Sequence, residues 1–85
     1  MTARVLRANG TKETLKGTGK RGKLTLEQMQ AAVGGYIEYV HAGSKTLVVN
    51  EEGLLKGLPL NVMASDIAGR PIVGDALLVN TKDVG

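Results

Sequence analysis

Three groups of residues have types and spacings that could do chemistry. The first is Gly17-Thr-Gly-Lys-Arg-Gly22, with Lys23 just beyond. It fits G-x-G-x-x-G, whose glycine amides cradle a pyrophosphate when a strand precedes the motif and a helix opens inside it. Here the strand-like residues end near residue 8 and helical periodicity starts near residue 25, so the dinucleotide context is not met. A milder reading survives. Exposed glycine amides beside Lys20, Arg21 and Lys23 suit a phosphate, against the alternative of a solvated basic loop. No Gly-Lys-Ser or Gly-Lys-Thr stands at Walker A spacing.

The second group is Asn50-Glu51-Glu52-Gly53. Two carboxylates can act as general acid and base or hold a hard cation. Neighbouring side chains diverge, however, so a cap with acids at the positive end of a helical turn explains the segment equally simply. Asn50 with a carboxylate also suits ribose hydroxyls or a base edge. The third group is His41 with the serines. His41 is the only histidine, which excludes a multi-histidine metal site within one chain. Ser44 and Ser65 sit in a turn and a helix with no nucleophile elbow around them. Tyr36 and Tyr39 are three residues apart on one predicted strand, hence on opposite faces, and make no single-sided stacking platform.

The elements that must position these residues follow from periodicity and punctuation. Residues 3–8 read as a first strand, ended by the Asn9-Gly10 turn. Residues 10–23 read as a basic, Gly-rich loop in which Thr14-Leu15 could extend a brief strand. Residues 24–34 form the clearest helix. Thr25 and Gln28 have capping-box spacing, Leu26, Met29, Ala32 and Val33 share one stripe, and Gly34-Gly35 supplies the stop. Residues 36–42 and 45–50 read as strands joined at Gly43-Ser44. Contiguous Leu47, Val48 and Val49 imply that both faces of the second of these are covered, by helices on one side and a partner subunit on the other. Residues 51–60 are irregular, with Asn50 as a cap. Asn61 caps a second helix that stops at Gly69 ahead of Pro71. Residues 71–80 read as a last strand bent at Gly74, and 81–85 as a frayed tail. The expected fold class is therefore α+β, one small domain over residues 1–85 in the order β-α-β-β-α-β. A ferredoxin-like sandwich has that order, with the first two strands parallel; a related curved sheet with two helices is the alternative.

Size and composition bound the rest. With 85 residues there is room for one domain and none for a Rossmann dehydrogenase, a kinase or a TIM barrel. The absence of Cys excludes a disulfide scaffold and thiolate zinc. The absence of Phe and Trp leaves an aliphatic core, thin enough to favour oligomerisation. No apolar run reaches bilayer length and no signal segment follows the first residues, so a soluble cytoplasmic protein is expected. The net charge of +3 is uneven: residues 1–25 carry seven cations against Glu13 alone, and residues 26–85 carry four against seven acids. The basic character belongs to the N-terminal segment, as in an anion-binding arm.

The runs Val33-Gly-Gly-Tyr-Ile-Glu38, Asn50-Glu-Glu-Gly53, Gly57-Leu-Pro-Leu-Asn61 and Ile72-Val-Gly-Asp75 resemble, in that order, the phage and mobile-element family catalogued as domain of unknown function 3846. The resemblance spans about residues 24–80 and leaves out the basic loop. It implies a small phage-encoded protein in a bacterial cytoplasm, and no reaction. Within its motifs Tyr36, Asn50, Glu51, Glu52 and Asn61 are candidate ligand contacts, or else structural caps. The expectation is a non-enzymatic, homo-oligomeric protein that binds a small anionic ligand, a nucleotide or nucleotide signal, without cofactor or metal. Its candidate contacts are Asn50, Glu51, Glu52, Asn61, Tyr36, Lys20, Arg21 and Lys23, and one role would be counter-defence sequestration. The alternatives are a module that inhibits a host protein and a nucleic-acid binder acting through the basic N-terminal arm. No membrane contact is expected.

Overall fold

A computed structural model describes residues 2–84. The expected domain range 1–85 and tail 81–85 therefore extend to Met1 and Gly85, which lie outside the described residues. Five strands and two helices follow one another as β1 (Thr2–Leu6), β2 (Lys12–Lys16), α1 (Leu26–Val33), β3 (Ile37–Ala42), β4 (Lys45–Asn50), α2 (Val62–Ala68) and β5 (Ala76–Asn80). Short 3₁₀ turns occupy Lys20–Gly22 and Thr81–Asp83. The strands form one sheet in the order β2-β1-β5-β4-β3, with every neighbouring pair antiparallel.

The α+β class holds, but the strand order is not a simple ferredoxin-like one. β1 and β3, expected to run parallel, are separated by β5 and β4 and run in opposite directions. The element order also gains a strand, β2, which pairs with β1 across the Asn9-Gly10 turn. That hairpin is fixed at its root by the Arg7 guanidinium, which donates to Glu13 across the turn and to Asp75 ahead of β5. These contacts, the Glu13 hydrogen bond first, raise the Arg7 pKa above the ordinary arginine value.

The two helices lie on opposite faces of the sheet, giving three layers. On one face Met29 and Val33 of α1 pack on Ala3, Val5, Val48, Leu77 and Val79. On the other, Ala64 of α2 packs with Leu6, Val40, Leu47, Val49 and Ala76. The contiguous apolar run of β4 explains this split: alternation sends Val48 to the first face and Leu47 and Val49 to the second, and each needs cover. The second cover comes from α2, where a partner subunit was expected.

The helix ends are built as their residues predict. Thr25 Oγ1 accepts from the Gln28 amide and Gln28 Oε1 from the Thr25 amide, a complete capping box. Gly34 then ends α1 in the left-handed region, φ 79°. The last strand begins at Ala76 rather than Pro71, because Gly74 at φ 79° turns the chain and donates to the Pro59 carbonyl. The segment after β5 is not frayed through residue 84. The Thr81 amide donates to the Ser44 carbonyl, and Val84 packs partly buried on the α1-side core.

Candidate functional site

The β1–β2 hairpin arranges the basic residues by strand alternation. Its register pairs Leu6 with Lys12, Arg4 with Thr14 and Thr2 with Lys16. Leu6 packs toward α2, so Arg4, Lys12 and Lys16 project from that same sheet face. Lys45 joins them through its register with Asn80, whose Oδ1 accepts from Lys45 Nζ at 2.7 Å. α2 covers only part of this face. Beside it a groove of about 410 Å³ is lined by Arg4, Lys12, Leu6, Met63, Ile67, Leu78 and Asp66. Lys12 and Lys16 stand about 13 Å apart along their strand, and Arg4 lies diagonally about 7–8 Å from Lys12. Among the described residues, ion pairs engage Arg7 and Lys56 only. Arg4, Lys12, Lys16, Lys20, Arg21 and Lys23 have none.

The loop after β2 is more closed than its composition predicts. A Cβ on Gly17 would lie 2.1 Å from the Gly22 carbonyl oxygen, so only glycine fits. The amides of Gly19, Gly22 and Lys23 donate to the carbonyls of Lys23, Gly19 and Lys20. Gln28 ties the loop down, accepting from the Thr18 amide at 2.9 Å and donating to the Lys16 carbonyl at 2.8 Å. The amides proposed as a phosphate cradle are thus largely spent within the loop. What it presents outward is the exposed side chains of Lys20, Arg21 and Lys23. Arg21 sits in the left-handed region at φ 58°, held there by the following Gly22 turn.

The Asn and Glu candidates fall elsewhere and divide. Asn61 is fully buried. Its Nδ2 donates to the Leu6 carbonyl at 2.8 Å and the Gly74 carbonyl at 2.9 Å, while Oδ1 caps α2 at the Ala64 amide. Asn50 is also buried. It donates to the Val33 carbonyl at the end of α1 and accepts from the Glu52 amide. Both side chains are structural caps. Tyr36 and Glu52 meet across a shallow pocket of about 200 Å³ with Lys56. Glu51 instead borders a groove of about 450 Å³ shared with Glu38, Arg70 and the exposed Leu54 and Leu55. The basic loop touches the start of α1 and Asn50 its end, so eight residues, about 12 Å of helix, keep the two candidate clusters apart.

His41 belongs to a hydrogen-bond chain. Thr81 Oγ1 donates to the Gly43 carbonyl, which leaves it to accept from Thr46 Oγ1 at 2.8 Å. With its one proton so used, Thr46 accepts from His41 Nδ1 at 2.8 Å, and the imidazole carries its proton there. Among the described residues no carboxylate bonds to the ring, and no three His, Asp or Glu side chains gather as metal ligands. None of the described helices is long and apolar enough to cross a membrane.

The residues that sequence reasoning passed over are Arg4, Lys12 and Lys16. Their signal was available: Lys12 and Lys16 are four positions apart, the even step that cations on one strand face must have. No curated protein and no solved structure matches the chain. A family match does exist, and it covers residues 2–85, so the likeness reaches the N-terminal hairpin and the basic loop as well as the four motifs. The chain belongs to the family described as domain of unknown function, DUF3846.

Proposed function

We propose that this is a non-enzymatic binding protein whose partner is the phosphate backbone of a nucleic acid, held on the basic half of the α2-side sheet face. The observation that carries the reading is the set Arg4, Lys12, Lys16 and Lys45: four cations on one face, none in an ion pair among the described residues. Lys20, Arg21 and Lys23 continue the charge from the end of β2. Cations spread 7–13 Å apart suit a succession of phosphates, whereas a single phosphate needs donors that converge. Neither tyrosine joins this face: Tyr39 pairs with Val48 on the α1 side, and Tyr36, which lies just outside β3, lines the pocket with Gln30 and Lys56 at the end of α1, so binding would read the backbone and not stacked bases. The side chains of Asn50 and Asn61 are occupied as caps, which favours this partner over a nucleotide held by the Asn/Glu cluster. The phage-encoded, cytoplasmic setting implied by the family resemblance is one in which nucleic acid is abundant.

The test is fluorescence anisotropy of a labelled oligonucleotide titrated with the protein at low salt. Lys12→Glu with Lys16→Glu should weaken binding by about tenfold or more, since the two reversals remove phosphate contacts and add repulsion. Lys56→Glu, at the far end of α1, should change it less than about twofold. Stabilisation by a mono-, di- or cyclic nucleotide with no oligonucleotide binding would replace this reading with the nucleotide one. Binding indifferent to the Lys12 and Lys16 reversals would refute the proposed face.

A further inference from the structure

We propose that the groove beside Leu54 and Leu55 is the surface on which two copies of this chain associate about a twofold axis. The two leucines are 82% and 87% exposed, the most exposed large apolar side chains described. They do not sit on a loose loop. The Lys56 amide donates to the Glu52 carbonyl and the Leu58 amide to the Gly53 carbonyl. Gly53 packs so closely on Val73 that a Cβ would lie 2.8 Å from its methyl group. A closed turn therefore holds two adjacent leucines out in water.

The same turn borders a groove of about 450 Å³ whose apolar lining includes Val40 and Ile72. Projection and concavity lie side by side on one patch. An isologous contact requires this self-complementarity, because a twofold axis sets each patch against its own copy. The lining of the groove also carries charges of both signs. Glu38 and Glu51 border the groove from β3 and the end of β4, Arg70 from the segment after α2, and none of the three forms an ion pair among the described residues. A twofold axis placed between Arg70 and these two carboxylates would set Arg70 of each copy against Glu38 and Glu51 of the other. A second copy is thus the occupant that satisfies both the leucines and the charges, and no other partner need supply either.

Sedimentation equilibrium of the full chain, from low micromolar to near-millimolar concentration, should show a species of twice the 8.9 kDa chain mass. Leu54→Asp with Leu55→Asp should leave a monomer with unchanged circular dichroism and a Tm that no longer rises with protein concentration, as the dimeric wild type's does. Arg70→Glu, and separately Glu38→Lys with Glu51→Lys, should each weaken self-association about tenfold or more, as like charges then face each other. Mixing these two charge variants should restore a dimer, since every facing pair is again opposite in sign. A wild-type monomer at all concentrations, a dimer that survives the leucine change, or charge variants that fail to pair when mixed would each overturn the proposal. Because this surface is separate from the hairpin cations, monomeric Leu54→Asp, Leu55→Asp protein should still give a single-site oligonucleotide signal if the basic face is correct.

Discussion

Replacing Asn61 by alanine separates a structural asparagine from a ligand contact. The side chain is completely buried and makes three hydrogen bonds: to the Ala64 amide at the start of α2, to the Leu6 carbonyl at the end of β1, and to the Gly74 carbonyl ahead of β5. Loss of the N-cap costs about 1 kcal/mol. Each of the two carbonyl bonds adds about 1–1.5 kcal/mol, because no water replaces the lost donor. The total is about 3–4 kcal/mol, against an expected stability of about 4–13 kcal/mol for a chain of this size. Asn61→Ala should therefore lower the urea midpoint sharply with little change in m, and lower Tm by about 12 °C or more. Asn61→Ser keeps a capping oxygen without the two donors and should recover about 1 kcal/mol. With Tyr36 and Tyr39 as the only aromatic side chains, unfolding is best followed by far-ultraviolet circular dichroism. A loss below about 1 kcal/mol at constant m would refute the assignment of Asn61 as the pin between α2, β1 and the approach to β5.

Two further perturbations address other parts of the fold. Thr46→Val removes the buried hydroxyl between His41 and Thr81; it should cost about 1–2 kcal/mol, and imidazole ¹⁵N shifts should change from the Nδ1–H tautomer toward the Nε2–H form, an unchanged tautomer contradicting the hydrogen-bond chain. Gly17→Ala drives a methyl group into the Gly22 carbonyl and should cost about 1–3 kcal/mol, whereas Gly43→Ala, which meets no atom within 4 Å, carries only the cost of its φ of 65°; equal losses in thermal unfolding would argue against the closed loop.

The sequence carried the local signals and concealed the pairings. Thr25 with Gln28, and Asn61 with Gly69, mark both helices because caps are local hydrogen bonds set by residue type and spacing. Leu47, Val48 and Val49 announced a strand covered on both faces, but not which element covered each. β2 was nearly invisible. Lys12–Lys16 has four exposed residues of five, so burial leaves no alternation to read, and its strand state comes from backbone pairing with β1 and the Arg7–Glu13 contact across the turn. Without β2 the basic residues counted as an arm; with it, alternation sorts them onto a face. Asn50 and Asn61 were ambiguous in the sequence, readable as caps or as ligand contacts. An asparagine suited to a ribose or a base is equally suited to a buried carbonyl, and only burial decides between them.

The salt dependence of oligonucleotide binding tests the basic face most directly. Each phosphate contact contributes about −0.7 to the slope of log K against log salt for a single strand, so four cations engaged on the hairpin and β4 give a slope near −3. The Lys12→Glu, Lys16→Glu protein should lose at least about half of that slope as well as affinity. A flat salt response, or the same slope in wild type and variant, would contradict the claim that this face holds a phosphate backbone.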